Sequence, residues 1–162
     1  NVLPVERGKK LEDMLAACEI PAAINIELNH TDVKPLIANP MEAGFDALRT
    51  RGHYPINHTV VVKDELLNAY PELARELFKA FVEAKRPYIE QVKNGQVAAP
   101  SNTDRTYKRV MEITGADPLP YGVEPNREMI EAVIQYVREQ GILTRSFTLK
   151  DLFARETLDL VG

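Results

Sequence analysis

The sequence has few of the features that mark several large classes of protein. Cys18 is its only cysteine, which excludes an internal disulfide and any CxxC metal or redox site. Its apolar runs are a few residues long, far short of the roughly 20 that a transmembrane helix needs. Lysine and arginine form no run, and the formal net charge is −4. We therefore expect no nucleic-acid partner and no membrane insertion.

Common signature motifs are missing as well. The chain contains no GxGxxG, GxxxxGK[ST], HExxH or GxSxG pattern. Its three histidines do not share a helix face, and no carboxylate is spaced to assist them, so no metal site is predicted. The sequence starts at Asn1 with neither an initiator Met nor a signal peptide, which leaves export open. With 162 residues, 44% apolar and 27% charged, the composition is that of a soluble globular protein.

Apolar periodicity predicts helices along most of the chain. Helix starts are indicated by Asn-Pro, Ser-x-x-Asp and Thr-x-x-Asp sequences, and helix ends by glycine. A proline at position 87 predicts a kink or a break near Glu83–Arg86. The predicted helices run from Gly8 to Cys18, from Asn39-Pro40 to Gly52, through the Leu73–Tyr88 stripe to Gly95, from Ser101 to Gly115, from Asn126 to Gln140, and onward from Thr148.

Short apolar segments between these helices predict strands. Ala22–Ile26 has the length of a buried strand, Val33–Ile37 reads as an extended piece, and Thr59–Val62 is β-branched throughout. Apolar strands that alternate with helices indicate a mainly parallel sheet, and such sheets have more strands than these. We therefore expect an incomplete sheet that residues upstream of Asn1, or another chain, would complete.

One window, from Arg49 to Thr59, concentrates polar groups capable of chemistry. It holds two arginines, two histidines, a tyrosine and an asparagine, with no acidic residue between Asp46 and Asp64. Arginine offers a planar fork that matches a carboxylate, and histidine exchanges protons near neutral pH. Arginines that favour the dipole of a helix C-terminus, followed by loop histidines, explain the window equally well. The residues by themselves therefore indicate a candidate anion site.

Three other features have a structural interpretation that we prefer. Tyr121–Arg127 precedes a helix, whose start can hold an anion with Asn126 as cap, but turn and cap chemistry explains the segment. His30 follows a predicted strand, and we interpret it as an exposed loop histidine. Cys18 ends a helix of ordinary core pattern and is interpreted as a buried, inert thiol.

Several segments together resemble the C-terminus of the 4,5-dihydroxyphthalate decarboxylase family. Their order and spacing match over nearly the whole chain. The segments are Leu11–Leu15, Gly52–His58 with the Val run after it, Pro120–Arg127, Glu139–Gly141 and Asp151–Ala154. The chain departs from the family pattern at Cys18–Pro21 and over residues 94–105. The family is a branch of the type II periplasmic-binding-protein fold, which has two α/β lobes with a cleft between them.

The resemblance implies a fold and a domain organisation. It implies an α/β fold: the C-terminal part of a type II periplasmic-binding-protein-like fold, helix-rich, with an incomplete, mainly parallel sheet. Residues 1–162 would form a single segment of a two-lobe protein. Residues 1–58 would be the end of one lobe and the crossover, and residues 59–162 the return to the other lobe with the C-terminal helices. A homo-oligomer or a missing N-terminal lobe is therefore expected.

The resemblance also implies a reaction, the cofactor-independent decarboxylation of an aromatic dicarboxylate such as 4,5-dihydroxyphthalate. This chemistry needs carboxylate anchors, a proton donor for the ring carbon and groups that hold the hydroxyls. From residue type and position we assign Arg49 and Arg51 as anchors, His53 or His58 as proton donor, and Tyr54 and Asn57 as hydroxyl partners. The alternative is a periplasmic-type solute-binding protein for an aromatic or other carboxylate. The enzyme would be cytoplasmic and the binding protein periplasmic.

Overall fold

A computed structural model describes residues 4–162, and every regular element in that range is a helix. Helices cover 51% of the residues. Two short 3₁₀ helices occupy Glu124–Asn126 and Arg155–Thr157. No helix in the described range is long and apolar enough to cross a membrane. The α-helices are α1 (Leu11–Ala16), α2 (Pro40–Arg51), α3 (Asp64–Ala69), α4 (Leu73–Lys93), α5 (Asn102–Thr114), α6 (Arg127–Glu139) and α7 (Leu149–Leu152).

The chain divides into two compact units, residues 1–43 and residues 44–162. In the first unit, α1 ends where Cys18 takes a left-handed conformation with φ 58°. The N–H of Glu19 then donates to the carbonyl oxygen of Met14 at 2.8 Å, which closes the helix end. Cys18 is exposed, so its interpretation as a buried thiol is wrong. None of the residues described in this unit is buried. The assignment of residues 1–58 and 59–162 to two lobes stays a prediction.

Local capping explains why the helix ends agree with the sequence patterns. The Asn39 side chain accepts the N–H of Glu42 at 3.4 Å in the first turn of α2, and Gly52 with φ 65° ends that helix. Ser101 and Asp104 form a capping box: each side chain accepts the other residue's backbone N–H, at 2.7 and 3.2 Å. These two predicted starts and the stop at Gly52 are confirmed.

Helix α4 is the longest element of the second unit, and it packs against α3, α5 and the 3₁₀ helix at Arg155–Thr157. It runs through Pro87 as one helix, so it does not break near residues 83–86. Two side-chain contacts tie it to α5. The Tyr88 hydroxyl donates to the Asp104 carboxylate, and the Tyr88 and Tyr107 rings meet edge to face with centroids 6.3 Å apart.

The predicted α/β fold with a parallel sheet is wrong. Residues 4–162 contain no strand, and the segments at 22–26, 33–37 and 59–62 are irregular. Val60 is 64% exposed, Val61 88% and Ile24 90%, so these apolar side chains lie outside any core. A strand is stable only when a neighbour pairs its backbone groups and covers a face. No described segment pairs with these three segments. The prediction of a type II periplasmic-binding-protein-like architecture, which requires that sheet, is therefore also wrong.

A small hydrophobic core holds the second unit together. Phe45 and Leu48 of α2 pack with Val110 of α5, and the Tyr54 ring and Ile113 cover this cluster. Helix α6 has a strong apolar stripe but no buried residue. Few side chains therefore carry the hydrophobic stabilisation of this unit.

This distribution makes a matched pair of leucine substitutions informative. Leu48→Ala removes a buried core side chain and is expected to cost about 2–5 kcal/mol of unfolding free energy. Leu66→Ala changes the same chemical group on α3 at a position that is 42% exposed, and should cost about 0.5 kcal/mol. Urea unfolding followed by circular dichroism measures both. Equal losses in the two variants would contradict the assigned core.

Candidate functional site

A cleft of about 470 Å³ lies in the second unit, beside the small core. Its walls come from the C-terminal ends of α2 and α5, the connector Asp117–Tyr121 that follows α5, and the first turn of α6. Its lining comprises Leu48, Arg49, Gly52, Tyr54, Val110, Ile113, Thr114, Ala116, Asp117, Pro120, Glu124, Pro125, Asn126, Arg127, Glu128 and Met129. The cleft thus brings together the two segments that the sequence singles out separately, 49–59 and 121–127.

Two residues of the predicted site line this cleft. Arg49 stands in the last turn of α2, where its guanidinium contacts the Asp46 carboxylate at 2.5 Å. Tyr54 follows shortly after and donates its hydroxyl hydrogen to the carbonyl oxygen of Pro118 at 2.7 Å. The first contact keeps a cation at the rim, and the second fixes an aromatic wall.

The other four predicted site residues are not among the cleft lining. Arg51 is the last residue of α2 and is exposed. His53 is half-buried next to the cleft residue Gly52, and its backbone N–H donates to the Ala47 carbonyl oxygen at 3.4 Å. Asn57 and His58 are exposed in the irregular segment that follows. Their functional roles stay predictions.

The start of α6 forms the opposite wall. The Asn126 side chain donates to the carbonyl oxygens of Pro120 and Gly122, both at 2.8 Å, and makes no capping bond to α6. Asn126 therefore fixes the turn. The Arg127 guanidinium binds the Glu124 carboxylate, with Nε 3.1 Å from Oε2, and reaches Glu131 at 3.2 Å. These contacts raise the pKa of Arg127, and Arg127 in turn lowers the pKa of the Glu124 carboxyl.

The charges in the cleft are of both signs. Arg49 and Arg127 are its cations, and Asp117, Glu124 and Glu128 are its acids. Two of these acids have a cationic partner, Arg127 for Glu124 and Lys85 for Asp117. Both cations are paired as well, Arg49 with Asp46 and Arg127 with Glu124 and Glu131. An incoming carboxylate would therefore share a guanidinium with these acids, next to the favourable dipole at the N-terminus of α6.

Burial changes the chemistry of Tyr54. Desolvation, with smaller contributions from Tyr107 and Asp117, raises the pKa of Tyr54 to about 12. The hydroxyl therefore keeps its proton at pH values where an exposed tyrosine has lost it, and it donates this proton to the Pro118 carbonyl oxygen. Tyr54 acts here as a fixed wall of the cleft.

Lys85 of α4 contacts the connector at several points, and the sequence interpretation missed it. Its side chain is 8% exposed, and its ammonium lies 2.7 Å from Asp117 Oδ2 and 2.5 Å from the Leu119 carbonyl oxygen. The same ammonium lies 4.1 Å from the centre of the Tyr121 ring. A signal was present, because position 85 falls between Phe81 and Tyr88 on the apolar face of α4. A charged residue at such a position needs a buried partner.

Metal ligands are not clustered in the described part of the chain. Among residues 4–162, no group of three or more His, Cys, Asp or Glu side chains is placed to hold a metal ion.

Comparison with known proteins gives one informative similarity. The chain is 24% identical over 168 aligned residues to a 4,5-dihydroxyphthalate decarboxylase of Comamonas testosteroni. The alignment covers 98% of this chain and 51% of that protein, so the chain spans about half the length of the curated relative it matches. No protein-family model and no solved structure matches the chain. The similarity supports a distant relationship and agrees with the family resemblance of the sequence motifs.

The raised pKa of Tyr54 predicts how stability depends on alkaline pH. The unfolded tyrosine loses its proton near pH 10 and the folded one near 12. Its contribution is therefore fully present below pH 10 and is lost as the pH rises from 10 to 12. Tyr54→Phe should lower the unfolding free energy by about 1 kcal/mol at pH 8 and make the alkaline decline shallower. The residual decline includes Tyr88, whose pKa is also raised to about 12.

Urea unfolding between pH 8 and 12 measures this effect. Tyr70→Phe is the matched control, because it removes a hydroxyl from a tyrosine that is 64% exposed, and its stability at pH 8 should change by less than about 0.5 kcal/mol. A Tyr54→Phe profile identical to that of the unsubstituted protein would contradict the burial of this hydroxyl.

Proposed function

We propose that residues 44–162 contribute the cleft of an enzyme that decarboxylates an aromatic dicarboxylate, such as 4,5-dihydroxyphthalate, without an organic cofactor. The observation that carries the proposal is the similarity to a 4,5-dihydroxyphthalate decarboxylase along 98% of this chain. Because the chain spans about half of that relative, the activity is proposed for the intact protein, with any further chain that it contains.

The dimensions and lining of the cleft support an aromatic carboxylate as ligand. A volume of about 470 Å³ lies in the range of small-molecule sites. Leu48, Ile113 and Met129 offer apolar surface for a ring. Arg49 at the end of α2 and Arg127 at the start of α6 place a guanidinium on each of two walls. Each of them already binds a protein carboxylate, so a ligand with two carboxylates would share these guanidinium groups with Asp46 and Glu124.

The central requirement of the reaction is a proton donor for the ring carbon. In 4,5-dihydroxyphthalate each carboxylate has a hydroxyl para to it. Protonation of the ring carbon that bears the carboxylate lets this hydroxyl share the positive charge, after which the carbon–carbon bond breaks and CO2 leaves. We assign the proton donor to His53 or His58, on the segment that contributes Gly52 and Tyr54 to the cleft lining. Arg51 and Asn57, on the same segment, would then hold a carboxylate and a hydroxyl.

The solute-binding alternative has no comparable support, because no comparison indicates a binding protein. Binding without turnover remains the outcome that would favour it. Incubation of the intact protein with 4,5-dihydroxyphthalate, with CO2 release and the aromatic spectrum followed in time, tests the proposal. Tight binding without product between pH 5 and 9 would contradict decarboxylation.

Arg49 can be tested against an arginine in an equivalent helical position. Arg49→Gln should weaken binding of 4,5-dihydroxyphthalate about 10- to 100-fold, because a charge-assisted contact worth about 1.5–3 kcal/mol is lost. Arg138→Gln also removes a cation from the last turn of a helix, α6, away from the cleft lining, and should leave binding unchanged. Isothermal titration of the intact variants measures both affinities. Equal affinities for the two variants would remove Arg49 from the site.

The proposed proton donor can be tested in the same way. His53→Gln or His58→Gln should lower kcat on the order of 100-fold, the usual contribution of general acid catalysis, with a smaller change in KM. His30→Gln is the control, because His30 is an exposed histidine of the first unit whose Nδ1 accepts the N–H of Asp32. Wild-type turnover in a variant that lacks both His53 and His58 would exclude them as proton donors.

A further inference from the structure

We propose that Lys85 is a positioning residue, which fixes the connector Asp117–Tyr121 as a wall of the cleft from behind. The ammonium contacts three consecutive parts of this connector: the Asp117 carboxylate at 2.7 Å, the Leu119 carbonyl oxygen at 2.5 Å, and the Tyr121 ring at 4.1 Å. Lys85 itself does not line the cleft. Its influence on a ligand would therefore pass through the connector.

The connector is the part of the cleft with the least regular structure of its own. It lies between Gly115, which ends α5, and the 3₁₀ helix at Glu124–Asn126. Asp117 and Pro120 line the cleft, and the Pro118 carbonyl oxygen accepts the hydrogen bond that orients Tyr54. A shift of the connector would therefore move two parts of the cleft lining together, its own residues Asp117 and Pro120 and the Tyr54 ring.

Burial strengthens the interaction of the Lys85 ammonium with the connector. The Lys85 side chain is 8% exposed, and Asp117 is 33% exposed, so water screens this pair less than an ion pair on the protein surface. Removing one partner of such a pair leaves an uncompensated charge, which is more costly than removing both. Lys85 donates to a carbonyl as well, so its position is set by two acceptors and a ring.

The far end of the connector is held independently. Tyr121 and Gly162 exchange backbone hydrogen bonds at 2.7 and 3.0 Å. Gly122, with φ 117°, brings its Cα so close to the Leu160 carbonyl that a Cβ would lie 2.3 Å from that oxygen. The C-terminal residues thus anchor one end, and Lys85 anchors the segment that faces the cleft.

A charge-balanced variant isolates the positioning role. Lys85→Met alone would leave Asp117 unpaired and is expected to unfold the protein, so we combine it with Asp117→Asn. Asparagine keeps the Oδ1 that accepts the Leu119 N–H at 2.7 Å. The control is Lys79→Met with Glu76→Gln, which removes an ion pair within α4. Its ammonium–carboxylate distance is also 2.7 Å, but the Lys79 and Glu76 side chains are 55% and 62% exposed.

Amide hydrogen exchange on the ligand-free intact protein is the readout. In the Lys85→Met/Asp117→Asn variant, the Leu119 amide should exchange at least tenfold faster, while Val110 in α5 and Tyr121, whose N–H donates to the Gly162 carbonyl oxygen, keep their protection. The Lys79→Met/Glu76→Gln control should change none of the three. Unchanged exchange at Leu119 would overturn the inference. Complete unfolding of the charge-balanced variant would overturn it too, because Lys85 would then stabilise the whole unit.

The consequence for the ligand rests on the proposed function. Affinity for 4,5-dihydroxyphthalate should fall at least tenfold in the Lys85→Met/Asp117→Asn variant and stay constant in the control. Asp117 lines the cleft, and the loss of its charge removes a repulsion on a carboxylate, so a fall in affinity would report the shifted connector. If the unsubstituted protein binds no 4,5-dihydroxyphthalate, the proposed function fails, and hydrogen exchange alone still decides whether Lys85 positions the connector.

Discussion

The buried ammonium of Lys85 links the packing of helix α4 to the geometry of the cleft. It reaches from the long helix α4 into the connector between α5 and α6, where Asp117 and Leu119 receive it. The connector in turn presents the Pro118 carbonyl to Tyr54, whose ring covers the core cluster of Phe45, Leu48 and Val110. The connector thus contacts both the Lys85 ammonium and the Tyr54 hydroxyl. Its residues Asp117 and Pro120 also line the cleft.

The second unit buries few apolar side chains around these polar contacts. Few hydrophobic side chains are buried among residues 44–162, and polar contacts such as the Ser101–Asp104 capping box and the Tyr88–Asp104 hydrogen bond lie at the helix ends and between helices. Large apolar side chains such as Val133 and Tyr136 of α6 remain 46% exposed. Helix α6 is therefore held mainly at its start, where the turn fixed by Asn126 and the Arg127 contacts lie.

The sequence predicted what local chemistry determines. Asn39, Ser101 and Gly52 define helix ends through bonds within a few residues, and these ends were found correctly. The sheet was not, because a strand depends on distant partners, and Thr59–Val62 has a β-branched composition without a described neighbour to pair with.

Part of the cleft lining was named from the sequence. Arg49 and Tyr54 were assigned to the predicted site, whereas the segment before α6 was interpreted as turn and cap chemistry. Periodicity cannot show that α2 and α6 meet at one cleft. Lys85 was missed because its neighbours on α4 fit an apolar stripe, although its charge on that face was visible in the sequence.

The central claim is that an aromatic dicarboxylate binds between the end of α2, the connector and the start of α6. Intermolecular nuclear Overhauser effects between the ring protons of 4,5-dihydroxyphthalate and the methyl groups of the intact protein locate the ligand directly. The account predicts contacts with the methyl groups of Ile113 and Met129, which line the cleft. Contacts confined to methyl groups outside the cleft, or no contacts at saturating ligand, would contradict it.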